Sequence, residues 1–411
     1  MIFMIANKFL DIGPWWHVSG VFNLTDIGNG IILFSTFVFL IFSIRKSILI
    51  NFMTFLIVFL ISLACLQIFL ALSYYNQNVI DGIVAIRHQL YFFSFFLFIL
   101  YFSNTSEIVK FLNWLVILSI IALGLGIFNR YGFKILYSDW ANRGILRSGF
   151  VRAYVPAMDI VTFASIWLMT KWTESDKSRK RDKSMFFFLL AGHIFRQSRM
   201  RLVSLLSVLV IRLIRDNRWK RIFLFMLLSG IVFIGFEAYR GKNLLSNLFE
   251  SAFADSITGT GTMSPRLKMI EIDLKEFRAH PIIGGGSLAL RRPSGQPTLL
   301  QLRHESLSYY FDLGYTHWLK FYGLTGMVWL FLFFAYQFIS VSKIKKSNRD
   351  KDSLLLSKFV QNYLLYILFS FFTLNHFMIP SRILLLTLTA SIVVILCKDM
   401  TTNQSKALPS I

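Results

Sequence analysis

The chain has 411 residues; 55% are hydrophobic, 17% aromatic and only 16% charged, and the net charge is +22. A soluble domain carries about 25% charged residues, whereas here long apolar runs recur from end to end, so a soluble enzyme and a nucleic-acid-binding protein are both excluded. Runs of about 18 or more apolar residues cross a bilayer as helices, the runs are solid rather than alternating, and the surplus Lys and Arg then falls to cytoplasmic loops.

The first residues do not read as a cleaved signal: Lys8 is followed by a short mixed stretch with Asp11, Pro14 and two tryptophans. Residues 1–20 add an interfacial helix or one more span. Spans are then expected at 27–44, 50–73, 84–102, 109–128, 152–170, 185–196, 202–214, 222–236, 322–341, 354–374 and 382–397. The expected fold class is thus an all-α integral membrane protein of about 11 (10–12) transmembrane helices with one large extracytoplasmic loop. The runs at 185–196 and 202–214 are short, and read as a re-entrant pair or as two tilted helices. Cys65 and Cys397 both fall in spans, so no disulfide framework is implied.

Three connectors are densely basic: 171–184, 212–221 and 343–352. Counting spans puts all three on one side, with Arg45 and Lys46, and the positive-inside rule makes that side the cytoplasm. The N-terminus is then outside and the C-terminus inside. The organisation that follows is an N-terminal bundle (1–236), a large outer loop (237–316) and a C-terminal bundle with a cytoplasmic tail (317–411). Loops of this length are usually functional or disordered, and this one carries structural signals. Ser264-Pro265-Arg266 reads as a helix start. Leu267, Ile270, Leu274 and Phe277 recur at helical spacing, and the helix ends before His280-Pro281. Gly284-Gly285-Gly286 then reads as a flexible turn.

The informative charges lie on the wrong side. Arg130, Lys134, Arg143, Arg147 and Arg152 flank one outer loop. Arg196, Arg199 and Arg201 lie between the two short spans. Arg87-His88 enters the third span from its outer end, and Arg266, Arg291, Arg292 and Arg303 lie in the long loop. Some such side chains snorkel to headgroups or pair with acids. Three guanidiniums within six residues, however, repel one another unless an anion joins them, and the arginine fork suits phosphate. Arg266, in the first turn of its helix, adds free N–H groups and the helix dipole. Outside the cell the plausible phosphate is a lipid diphosphate.

Acid–base groups follow. In Arg303-His304-Glu305-Ser306-Leu307-Ser308-Tyr309-Tyr310-Phe311-Asp312, a helix would stack His304, Ser308 and Asp312 on one face and set Glu305 on the next. His317 lies beyond, where it also fits an interfacial belt with Trp318. A base beside bound arginines is what glycosyl transfer needs: it removes a hydroxyl proton while cations stabilise the departing diphosphate. No HExxH, paired CxxC or carboxylate cluster indicates a metal, and no cofactor is expected.

In four ordered patterns the chain resembles the O-antigen polymerase and O-antigen ligase superfamily of bacterial inner-membrane glycosyltransferases. These are Ser198-Arg199 opening a span; Arg266, a helix and His280-Pro281-Ile282-Ile283-Gly284-Gly285-Gly286, similar to HPxxGxG; Asp312-Leu313-Gly314-Tyr315; and Gly323-Leu324-Thr325-Gly326, similar to GxxG. The resemblance covers residues 185–335 and implies a GT-C-like architecture in the bacterial cytoplasmic membrane, with the active site on its outer face. It also implies an undecaprenyl-diphosphate-linked oligosaccharide donor, membrane lipids as surroundings, and a chain-length regulator and flippase of the same pathway as partners. By motif, Arg199 and Arg266 would grip the diphosphate, Arg196, Arg303, Arg87, His280, Gly284 and Gly286 would line the substrate, and Asp312 would orient or deprotonate the acceptor. Ligases typically carry His-Asn where this chain has Asp312-Leu313. That departure favours a polymerase over a ligase and leaves His304 or His317 open as the base. A flippase or anion transporter is the rival from another class, but it should carry charges spread through several spans and an inverted repeat, which this sequence lacks.

Overall fold

A computed structural model describes residues 17–19, 22–43, 51–130, 133, 146–147, 150–151, 154–174, 180–196, 198–215, 263–288, 313–347 and 350–407. Helices dominate them. In chain order these are α1 (Leu24–Ser43), α2 (Phe52–Tyr75), α3 (Val79–Ile86), a 3-10 stretch (Arg87–Phe93), α4 (Ser94–Tyr101), α5 (Thr105–Arg130), α6 (Met158–Glu174), α7 (Lys180–Phe195), α8 (Arg199–Arg215), α9 (Met263–Ala279), α10 (Tyr315–Ser347), α11 (Lys351–Ser370) and α12 (Pro380–Ala407). Two small antiparallel ribbons accompany them, β1 (His17–Ser19) with β2 (Phe22–Asn23) and β3 (Leu146–Arg147) with β4 (Phe150–Val151). Residues 17–19 are therefore strand, not the interfacial helix expected over 1–20.

Among the described residues five helical stretches are long and apolar enough to cross a membrane: Phe52–Tyr75, Val79–Tyr101, Thr105–Arg130, Tyr315–Lys345 and Pro380–Met400. The protein is a multi-pass α-helical membrane protein. Its surface agrees with that: Phe34 and Phe331 are 71% and 70% exposed, and Phe55, Phe69 and Trp114 also face outward. Water would not tolerate such an aromatic exterior, whereas lipid tails do. The expected span at 222–236 lies outside the described residues. The short runs at 185–196 and 202–214 are two separate helices, α7 and α8, of 16 and 17 residues.

The core is built around α6, α11 and α12. Every residue of α6 from Ile160 to Thr170 is buried. Its hydroxyls are satisfied within the helix, Thr162, Ser165 and Thr170 each donating 2.8 Å to the carbonyl four residues earlier. That pattern suits a medium with no water to bond them. Trp167, Phe163, Phe359 and Tyr363 interlock α6 with α11 edge-to-face, a geometry that aligns positive ring edges with negative faces. Trp329 of α10 donates to the Leu56 carbonyl of α2 at 2.7 Å.

Ionic belts mark the two ends of this bundle. At one end Glu174 meets Arg212 and Lys358, Lys171 meets Asp182 at 3.1 Å, and Gln361 accepts from Arg215 and Lys345. Apart from Lys358 and Gln361 of α11, these residues belong to the basic connectors. At the other end Asp159 meets Arg201 and Arg382, and the N-terminus of α10 packs there on the α11–α12 connector, Tyr315 on Phe371 and Trp318 on Phe377. Of the wrong-side arginines, Arg201 thus lies at the end opposite the basic connectors.

Candidate functional site

The site is organised by a junction between the segment after α9 and a break in α10. Gly323 has φ +57 and interrupts α10, so the helix restarts at Leu324 with unsatisfied N–H groups. The loop after α9 supplies the acceptors. Leu324 N donates to Pro281 O (2.8 Å) and Thr325 N to Ile282 O (3.0 Å), while Gly285 N donates back to Lys320 O (3.0 Å). The Thr325 hydroxyl also donates to Ile282 O at 2.9 Å. Gln67 and Gln77 donate to Ile283 O and Ser287 O at 2.9 and 3.0 Å, tying the loop to α2 and to the turn that follows it.

This corrects the reading of Gly284-Gly285-Gly286 as a flexible turn. Gly284 (φ +80) and Gly286 (φ +87) take left-handed backbone, and a Cβ on them would stand 2.1 Å from Phe321 O and 2.6 Å from Ala71 N. The two glycines let backbone pack against backbone. The HPxxGxG-like and GxxG-like segments, far apart in sequence, are two halves of one joint.

The joint presses α9 onto α10. Asp273, fully buried, meets His317 Nδ1 at 3.0 Å and Lys320 Nζ at 3.4 Å. A carboxylate can only accept, so Nδ1 carries a hydrogen, and in the neutral ring the lone pair is then on Nε2. Burial alone would push the Asp273 carboxyl up; the His317 ring and the Lys320 ammonium outweigh it and hold the group below the ordinary carboxylate value. Glu276, one turn on, accepts from the Tyr75 hydroxyl at 2.6 Å. His280 stacks on Tyr74 at 4.0 Å between centroids. Arg266 lies seven residues before Asp273, two turns away on the same face of α9.

The expected helix after Ser264 exists, and it ends at Ala279 before His280-Pro281. Its apolar stripe is rotated from expectation, because Leu267 is exposed whereas Met269 and Asp273 are buried. The span expected from 322 begins at Tyr315, which makes His317 a buried first-turn residue and not part of an interfacial belt. Arg87 pairs with Asp26 at 3.2 Å, which gives it a structural partner within the protein. Arg196 stacks over the Tyr154 ring at 5.1 Å, and Arg201 pairs with Asp159 at 2.6 Å. The protein therefore supplies partners to two of the three clustered guanidiniums itself. Arg199 opens α8, but its side chain lies outside the described residues, as do Arg303, His304, Glu305 and Asp312 entirely. Among the described residues no three His, Cys, Asp or Glu side chains converge as metal ligands.

Sequence reasoning missed Asp273, Lys320, Asp159 and Arg382. One signal was present for the first: an acid set between Ile270, Leu274 and Phe277 on a helical stripe needs a buried partner.

Fold and site together define a multi-pass α-helical membrane protein with a buried carboxylate–imidazole–ammonium group where a loop helix docks on its bundle. Compared with known proteins, the sequence matches no family profile and no curated protein.

Proposed function

We propose that the chain is a polysaccharide polymerase of the bacterial cytoplasmic membrane. It transfers a glycan from undecaprenyl diphosphate to a sugar hydroxyl of another lipid-linked repeat at the outer face. On this reading the bundle has about 11 spans and a GT-C-like architecture. The observation that carries the reading is the Asp273–His317–Lys320 group, two turns from Arg266 and at the end of the bundle away from the basic connectors.

In this mechanism Arg266, with Arg199 by resemblance, holds the diphosphate of the donor. His317, its tautomer set by Asp273, accepts the proton of the acceptor hydroxyl at Nε2. The acceptor oxygen bonds to the anomeric carbon as the carbon–oxygen bond to the diphosphate breaks, and the leaving group departs as polyprenyl diphosphate stabilised by the cations. The energy comes from the donor's own bond, so no nucleotide is consumed.

Purified protein given lipid-linked repeats should produce a ladder of chain lengths. Arg266→Ala and Arg199→Ala should each lower ladder formation by about 10²–10³-fold, the scale of losing one preorganised charge partner, with little change in unfolding temperature. An intact ladder in both variants removes these roles. Product formed only on lipid A–core would mark a ligase, and movement of the repeat with no change in covalent length a flippase.

Membrane sidedness gives a second check. An impermeant maleimide on intact spheroplasts should label Arg278→Cys, an exposed position on α9, and leave Lys351→Cys, at the start of α11, unlabelled until the membrane is opened. The reverse pattern would place the site in the cytoplasm and end the glycan-assembly reading.

A further inference from the structure

Asp159, Arg201, Ser381 and Arg382 come together from the first turns of α6, α8 and α12. Three helix N-termini, each the positive end of a dipole, therefore converge on one place. A single carboxylate answers two guanidiniums there. Asp159 accepts from Arg201 at 2.6 Å, from Arg382 Nε at 3.2 Å and from the Ser381 hydroxyl at 2.6 Å. The cluster keeps a surplus positive charge.

An independent set of observations comes from the buried polar groups around it. The Asn375 backbone carbonyl accepts from Arg382 Nη1 at 3.1 Å; the residue is 1% exposed, and neither side-chain amide atom is bonded among the described residues. His376 engages the Ser370 hydroxyl at Nε2, 2.6 Å, while its Nδ1 has no partner among the described residues. Burial, and then the Arg382 charge, hold this imidazole well below its usual range, so it is neutral at pH 7. His193, in the last turn of α7, is buried with neither ring nitrogen bonded among the described residues. Native interiors seldom leave so many polar groups unanswered. The Asp159 and Arg201 side chains remain 17% and 12% exposed.

We propose that this cluster is an oxyanion-binding site, separate from the Asp273–His317 group, that takes one phosphate or carboxylate group against Arg201, Arg382 and the Asn375 amide. Guanidinium forks match the planar edges of these groups, and the surplus cation supplies the charge that water would not. The chemistry fits equally a phosphate carried on a polyprenyl lipid and a small oxyanion or acidic sugar from outside. The proposal does not depend on the glycosyl-transfer reading, because its test reads binding alone.

The test uses the full chain in nanodiscs of zwitterionic lipid. Inorganic phosphate and glucuronate are titrated by calorimetry and thermal unfolding, and a third sample carries a polyprenyl monophosphate in the disc. At least one should bind saturably and raise the unfolding temperature; the lipid alone doing so identifies a lipid-borne phosphate, the soluble ions a small oxyanion. Asn375→Ala, which removes no charge, and Arg382→Gln should weaken binding about tenfold, the scale of one charge-assisted hydrogen bond. Asp159→Asn removes the internal competitor and should tighten binding about tenfold, with its unfolding temperature rescued by the anion. Absence of binding by all three probes overturns the site, as does binding that Asn375→Ala and Asp159→Asn leave unchanged.

Discussion

Asp273→Ala is expected to abolish polymer formation and to destabilise the protein by about 3–5 kcal/mol, the cost of breaking a buried ion pair by removing one partner. The carboxylate is fully buried and answers both His317 and Lys320, so its loss leaves an ammonium buried without its counter-charge. It also removes the polar contact that docks α9 on α10. Asp273→Asn separates the two consequences. The amide keeps the volume but presents a donor or a weaker acceptor to Nδ1, and the His317 tautomer is no longer fixed. Ladder formation should then fall by about 10²-fold or more while unfolding shifts far less. The pH dependence has a definite sign. A carboxyl held below its ordinary value stabilises the folded state above about pH 4 and loses that contribution as the pH falls through the lowered value. Docking of α9, followed by limited proteolysis, should accordingly persist at mildly acidic pH and fail only in stronger acid. Equal stability and equal ladders in wild type and Asp273→Ala would show that the group neither docks nor acts.

Gly284→Ala should be as damaging without touching a charge. The residue holds φ +80, and an added Cβ would sit 2.1 Å from Phe321 O and 2.3 Å from Phe321 C. The backbone conformation alone costs about 1–3 kcal/mol for a residue with a side chain, and the clash is with main chain, which has no rotamer to move into. The loop carbonyls that cap the restart of α10 at Leu324 and Thr325 would be displaced, and Asp273 would lift from His317. Gly124→Ala in α5 is the matched control, since nothing lies within 4 Å of its Cβ. A helical glycine with open space at its Cβ, replaced by alanine, should be neutral or stabilising by about 0.5–1 kcal/mol. Thermal unfolding of the two variants side by side decides the matter; similar midpoints would mean that the loop is not built into the joint.

Several parts of the molecule could be read directly from sequence. The spans at 50–73 and 109–128 return as α2 and α5 because an apolar run of that length has one low-energy form in lipid, with every backbone group bonded internally. The start of α9 at the Ser-Pro signal and its end before His280-Pro281 follow from local rules of capping and proline sterics. The start of α10 was misplaced by seven residues because Tyr315 to Phe321 mixes polar and apolar side chains and hides a helix inside an apparent loop. The roles of the arginines were harder. Arg87, Arg196 and Arg201 look alike as wrong-side cations, yet Asp26, Tyr154 and Asp159 answer them, and no local pattern announces partners that are distant along the chain or come from a neighbouring helix.

By itself the sequence determined that the chain lives in a membrane, which end of its bundle collects the basic connectors, and where a helix interrupts the long loop. Each of these follows from the transfer cost of residues into lipid or from rules acting within a few positions. Only the tertiary structure decided that Gly284 and Gly286 serve close packing, that Asp273 is the partner of His317, and that one carboxylate at 159 must balance two guanidiniums. The reason is physical: a buried charge is stable only beside its complement, and that complement is fixed by how helices pack, which residue spacing does not encode.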